Sequence, residues 1–266
     1  MGDNRNVASE LASERPGVAE YFGRLAKTYG AGAFYARRRA AVINALRSEI
    51  PPDARLLDLG CGNGANLFDL RAALDLKLIA GADLSRQMLA EAAQRRSGAR
   101  VPLLCADAMA LPFPAGAWDV VFCSHVLQMV PDLDACLRGI AAILTHGGAL
   151  MVAGGGGGAG GRLLDGLNDQ ERELLRAGRR AGRRLAPHDR ELSRTAYEAA
   201  GFAPEYRRFE FVVSGAELVE WYRIRWIPVL DDSLKAAADT ILDQLLAMRG
   251  AEQFATSETL VLARRL

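Results

Sequence analysis

The stretch "LLDLGCGNGANL", Leu56 to Leu67, decides the reading of the whole chain. Apolar residues surround one acid, Asp58, and glycines then arrive at alternate positions, Gly60, Gly62 and Gly64. An apolar strand that runs into a glycine-rich turn before a helix lets a ligand approach the backbone. An acid just ahead of that turn points to a ligand with a positive charge, because a pyrophosphate would be repelled there.

Outward from this stretch, strands and helices alternate. "RLLDL" (55–59), "LKLIAGADL" (76–84), "VPLLCAD" (101–107), "WDVVFCS" (118–124) and "ALMVAG" (149–154) read as short, almost wholly apolar strands. Between them lie helical patterns at 65–74, after the capping candidate Ser85, and at 132–144, the last closed by Gly147 and Gly148. "YRRFEFVV" (206–213) and "SETLVLARR" (257–265) supply two final strands. The alternation predicts an α/β fold: a doubly wound, mostly parallel, seven-stranded sheet of Rossmann-like form, with a helical cap. The expected organisation is a disordered tail and cap helices over 1–50, broken at "YGAG" (29–32), and a ligand-binding core over 51–160. A helical cap insertion follows over 161–195, and 196–266 completes the sheet with a second insertion at about 215–250.

Composition narrows the function. The 266 residues are 50% hydrophobic and carry a net charge of +1, so nothing draws the chain as a whole toward nucleic acid or anionic lipid. The four cysteines form no C-x-x-C pair and the three histidines are scattered, which argues against a metal site. The four cysteines read as reduced, buried thiols; with a polar N-terminus without a secretory pattern and no apolar run near the ~20 residues of a membrane helix, they point to the cytoplasm. The expected partner is a small-molecule acceptor, with no nucleic acid and no membrane; a homodimer stays open.

The turn by itself leaves two ligand classes. Gly60, Gly62 and Ala65 satisfy a loose dinucleotide pattern, and Asp83 stands at the ribose-binding distance downstream, so NAD and another nucleoside both remain. Asp58, the alternate glycines and Asp107 just past the third strand favour the second. In order, "LDLGCGNGANL", "GADLSRQMLAEA", "CADAMALPF" and "WDVVFCSHVLQMVPD" resemble the four motifs of the class I S-adenosylmethionine-dependent methyltransferases, in the small-molecule branch around ubiquinone and menaquinone biosynthesis. The resemblance spans about 56–153.

It implies S-adenosyl-L-methionine as cofactor and residue roles to match. Gly60, Cys61 and Gly62 would lie along its methionine part, and Asp58 would help hold its amino group. Asp83 would accept both ribose hydroxyls. Leu84 and Met88 would sandwich adenine, although Met88 also fits plain helix packing. Asp107, with Ala108 and Met109, would read the adenine edge, and Ser124 and His125 would border the sulfonium and the acceptor. His125 is the candidate general base, with His188 behind it, and Tyr21, Tyr29 and Tyr35 are candidates to close over the cofactor.

The expected activity is methyl transfer to an O, N or C atom of a small, hydrophobic molecule such as a secondary metabolite. The rivals are a cofactor-binding enzyme that cyclises or rearranges its substrate, and a regulatory cofactor-binding protein. "GGGGGAGG" (154–161) lacks the G-K-[ST] of a P-loop and reads as a flexible exit from the fifth strand or a linker. "RAGRRAGRR" (176–184) reads as a solvated helix face. Trp221, Tyr222 and Trp226 fit either a substrate wall or the core of the cap.

Overall fold

A computed structural model of the chain describes residues 16–95, 101–157, 159–183 and 193–266. Its elements in order are α1 (Pro16–Arg24), α2 (Ala33–Leu46), β1 (Ala54–Leu59), α3 (Ala65–Ala73), β2 (Leu76–Asp83), α4 (Arg86–Gln94), β3 (Leu103–Cys105) and β4 (Trp118–Ser124). They continue with α5 (Leu133–Ile143), β5 (Leu144–Gly157), α6 (Ala159–Leu163), α7 (Asp169–Arg183) and α8 (Arg194–Ala199). β6 (Phe202–Ser214), α9 (Gly215–Arg225), α10 (Asp232–Arg249) and β7 (Gln253–Arg265) complete the chain.

The seven strands form one sheet in the order β3-β2-β1-β4-β5-β7-β6. β1 to β5 pair in parallel, and β7 runs antiparallel to both β5 and β6. The strands are apolar throughout because both faces are covered. Side chains alternate across a strand, so Leu57 and Leu59 of β1 join Val121, Cys123 and the Cys136, Leu137 and Ile140 face of α5. Leu56 joins Val120 and Phe122 on the other face, against Leu67 and Leu70 of α3 and Val42 and Leu46 of α2. The order reverses between β1 and β4, which opens a crevice above their carboxyl ends.

Three local expectations are corrected. The helix α5 stops at Ile143, and the chain passes straight into β5, so Gly147 and Gly148 lie within the irregular start of that strand rather than at a helix end. β5 also extends to Gly157, with Gly154 paired to Thr259 and Gly157 to Ser257, so the first half of the glycine run is strand and not a loose exit. Cys61, Cys123 and Cys136 are buried as expected, but Cys105 is exposed.

β6 and β7 are 13 residues each and overrun the sheet. Their far ends, through Val213 and Phe254, enter a separate apolar cluster with Leu163, Leu167, Leu218, Tyr222, Trp226 and Leu242. This is the core of the cap. The hairpin ends in α9, whose start is fixed by a capping box between Ser214 and Glu217. Glu217 also pairs with Arg37 of α2, and Glu220 accepts from the Ala33 amide at 2.9 Å. The late insertion is thereby fastened to the N-terminal helices across the crevice. No helix among the described residues is long and apolar enough to cross a membrane.

Candidate active site

The glycines of the turn have different reasons to be glycine. A Cβ on Gly60 would lie 2.2 Å from Cγ2 of Val126, in the segment after β4. Packing of the protein on itself therefore excludes a side chain there. A Cβ on Gly62, with φ +56, would meet only the Met88 sulfur at 3.8 Å, so the backbone at Gly62 faces open space in the crevice. The turn is bare toward the crevice at Gly62, whereas at Gly60, which also lines the cavity, packing against Val126 is reason enough for a glycine.

The open space is one cavity. Gly60, Cys61, Gly62, Asp83, Leu84, Met88, Ala108, Ser124 and His125 all line it, while Asp58, Asp107 and Met109 do not. Asp83 at the end of β2 accepts the Gly62 amide on one carboxylate oxygen and the Ser85 amide on the other, each at 2.8 Å. Burial raises its pKa above the ordinary value, and the amides of Ser85 and Gly62 work against that rise. Each oxygen keeps capacity for a further donor. Ser85 caps α4 by accepting from the Met88 amide, which sets Met88 against the turn; Met88 is both buried core and cavity wall.

Asp58 lies beneath the turn, fully buried, with neither carboxylate oxygen hydrogen-bonded. Burial, helped by the charge of Asp83, pushes its pKa up to about 8. Asp107 serves its own loop, accepting the Met109 amide at 2.8 Å.

On the far side of the cavity stands a network that sequence reading missed. His125 directly follows β4, with φ 56, and its amide donates to the Ala153 carbonyl at 3.0 Å. A left-handed conformation at a residue with a Cβ costs of order 1–3 kcal/mol, and such strain clusters at functional sites. Its Nε2 lies 3.0 Å from Glu258 Oε1 of β7, and its Nδ1 lies 3.4 Å from the Gln128 side-chain nitrogen. The same Glu258 oxygen accepts from Arg38 Nε of α2 at 2.5 Å, and Arg38 also reaches Ser124 Oγ at 3.2 Å. Burial acts to raise Glu258, but Arg38 and His125 outweigh it and hold the carboxyl down at about 2. Arg38 and Glu258 are 6% and 6% exposed and 220 residues apart in sequence. No local pattern joins them.

The cap closes the cavity with Phe22, Tyr29, Tyr35, Trp221, Arg225 and Trp226. Trp221 and Trp226 are cavity wall, and Tyr222 is buried in the cap with its hydroxyl donating to the Gly160 carbonyl at 3.2 Å. The aromatic group thus serves both roles left open by the sequence. Asn63, unremarked within the opening stretch, donates to the carbonyls of Ala26 and Tyr29 at 2.8 and 2.7 Å. It ties the turn to the segment between α1 and α2. His188 and the end of the Arg-rich run fall outside the described residues.

Fold and site together define an α/β protein of Rossmann-like form with a carboxylate at the end of β2, an open glycine beside it and a single capped cavity. Residues 57–152 match the family described as "Methyltransferase domain", in accord with the resemblance of that stretch to the class I S-adenosylmethionine-dependent methyltransferases. Demethylmenaquinone methyltransferase of Thermus thermophilus is 34% identical over 136 residues, 50% of this chain and 60% of that one. The 27-O-demethylrifamycin SV methyltransferase of Amycolatopsis mediterranei is 37% identical over 100 residues, 36% of each chain. Both matches span less than two thirds of the relative's own length. Among solved structures, the [4+2]-cyclase SpnF superposes with a TM-score of 0.54 over 87% of this chain and 81% of that one, at 21% identity, a likeness of fold.

The residues fit S-adenosylmethionine on two observations. The backbone at Gly62 faces space rather than protein, and Asp58 is a buried carboxylate without a partner behind the same turn. A positively charged ligand above that turn would offset the charge of Asp58.

Proposed function

We propose that the protein transfers a methyl group from S-adenosylmethionine to a small, largely apolar acceptor with an ionisable hydroxyl or acidic carbon, His125 acting as general base. One observation carries this reading. A single cavity joins the Asp83–Gly62 edge to the His125–Glu258 pair beneath an aromatic roof.

In this reading Asp83 binds the ribose hydroxyls, Leu84 and Met88 flank the adenine, and Ala108 lies beside it. Asp107 and Met109 shape the loop that carries Ala108. Asp58 acts through the turn: a positively charged cofactor above it favours the ionised carboxylate, so Asp58 gives up its proton as the cofactor binds. The bound cofactor supplies an activated methyl on a positively charged sulfur. The chain's own residues bring the acceptor into line, exclude water and remove its proton. Glu258 accepts the Nε2 proton of His125, which leaves Nδ1 as the basic nitrogen; the acceptor's hydroxyl or acidic C–H displaces the long 3.4 Å contact from the Gln128 side-chain nitrogen, and Glu258 stabilises the imidazolium formed when Nδ1 takes up that proton. Glu258 is itself kept ionised by Arg38.

The test is incubation of the protein with methyl-labelled cofactor and a panel of phenols, enols and carboxylic acids. Label in an acceptor, lost in His125→Ala while affinity for S-adenosylhomocysteine stays within about twofold, is the expected result. Tight binding of S-adenosylhomocysteine with no label in any acceptor would turn the assignment toward a cyclisation or rearrangement. An unchanged pH–rate profile in His125→Ala would reduce His125 to a packing role.

A further inference from the structure

Two arginines are buried in the cavity wall, and only one has an acid. Arg38 is paired with Glu258. Arg225, at the end of α9, is 9% exposed, and no carboxylate among the described residues lies within salt-bridge distance of it. Its guanidinium sits among rings instead: 4.5 Å from the Trp226 centroid, 5.6 Å from Tyr21, 5.9 Å from Tyr29 and 6.0 Å from Phe22. Its hydrogen bond is to the Tyr21 hydroxyl, at 2.5 Å.

A guanidinium stays ionised and carries five N–H donors. Aromatic faces return about 2 kcal/mol to a desolvated cation, against a burial cost of several kcal/mol. One neutral hydroxyl leaves most of the donors and all of the charge unmatched. The next residue adds to the imbalance, because Trp226 Nε1 is a buried donor with no acceptor. An unpaired cation and an orphan donor, side by side in the aromatic part of the cavity wall, describe half of a salt bridge.

We infer that the other half comes with the ligand: Arg225 anchors a carboxylate of a molecule bound in the cavity. This deepens the methyltransferase reading and rests on it for the identity of the cavity. Two sources share the chemistry, an acidic acceptor and the amino-acid tail of the cofactor. Arg225 belongs to the late insertion that also brings Trp221, and it lies against Tyr29, whose carbonyl is held by Asn63 of the glycine turn. It therefore stands between the cap and the glycine turn.

Calorimetric titration of the full chain separates the sources. In the first arm the parent, Arg225→Met and Arg225→Lys are titrated with S-adenosylhomocysteine and with its decarboxylated analogue, S-adenosyl-3-thiopropylamine. In the second arm each protein, saturated with S-adenosylhomocysteine, is titrated with benzoate and with benzamide. If the cofactor tail is the anion, Arg225→Met loses tenfold or more for S-adenosylhomocysteine and almost nothing for the analogue. If the acceptor is the anion, cofactor affinity is unchanged, while a preference of the parent for benzoate over benzamide disappears in Arg225→Met and partly survives in Arg225→Lys. The comparison within the parent needs no variant to fold. A parent that prefers neither carboxylate over its uncharged counterpart, or an Arg225→Met protein that keeps both preferences, overturns the inference. A parent that binds neither nucleoside, yet selects benzoate over benzamide when no cofactor is present, overturns the methyltransferase reading and leaves the anion site standing.

Discussion

The cavity has two sides of different origin. The side holding Gly62, Asp83 and Met88 comes from the single stretch between Asp58 and Met88, folded as β1-turn-α3-β2-α4. The side holding Arg38, His125, Arg225 and Glu258 is gathered from α2, the end of β4, α9 and β7. The first is charged at one point, Asp83, and otherwise offers backbone, apolar wall and the neutral side chains of Asn63, Asn66 and Ser85. The second buries two arginines and a glutamate around a half-buried histidine. A local motif can shape a nucleoside site, because one strand–turn–helix unit supplies both the turn and its neighbours. A proton-transfer network beside it must borrow charge from wherever the chain returns.

That contrast can be broken most severely within the turn. Gly60→Ala sets a methyl 2.2 Å from Val126 and forces a left-handed backbone on alanine. A loss of about 3–5 kcal/mol is expected, from overpacking and strain together. Gly62→Ala, with open space at its Cβ, should cost about 1–2 kcal/mol of strain and mainly weaken S-adenosylhomocysteine binding. Thermal melting of both variants checks this; equal losses would refute the separate origins of the two glycines.

Next in size, on the proposed reading, Asp83→Ala removes the acceptor for both ribose hydroxyls. Affinity for S-adenosylhomocysteine should fall about 100-fold, at roughly 1.5 kcal/mol for each hydrogen bond to a charged group. Calorimetry within twofold of the parent would place the ribose elsewhere.

On the opposite side, Glu258→Gln leaves Arg38 buried beside a neutral amide. A stability loss of about 1–3 kcal/mol at pH 7 is expected. The folded carboxyl of Glu258 lies at about 2 against an ordinary 4.5, so its contribution is present in full above about 4.5 and lost as pH falls through about 2. Acid melts of the parent should show that loss, and the Gln variant should lack it.

At Asp58 the sign of the pH dependence reverses. Its folded pKa is raised to about 8 from 3.8, so the folded state holds a proton that the unfolded state has released. Stability therefore falls as pH rises from about 4 to 8, by at most about 1.4 kcal/mol per pH unit. Asp58→Asn should flatten this slope in the cofactor-free protein. A parent whose melting midpoint is level from pH 5 to 8 would show that Asp58 ionises freely.

Most of the sheet was legible in the chain, since parallel strands covered on both faces appear as apolar runs between helical periods. The nucleoside edge was legible for the same reason: Gly62, Asp83 and Met88 sit at fixed steps along one unit. The ends of β5, β6 and β7 were not, because strand length there is set by pairing partners rather than by local pattern; Gly154 and Gly157 are held by Thr259 and Ser257. Glu258 was hidden as one acid in "SETLVLARR". Nothing nearby in sequence marks it, and its significance arises only where β7 passes beneath Arg38 and His125.

By itself, then, the order of residues determined the alternating fold, the reversal that opens the crevice and the carboxylate at the end of β2, all of which follow from short-range periodicity and turn chemistry. Tertiary structure alone decided which charges meet. Buried arginine needs an acid or an anion, and only the folded chain shows that Arg38 has found Glu258 while Arg225 is surrounded by rings.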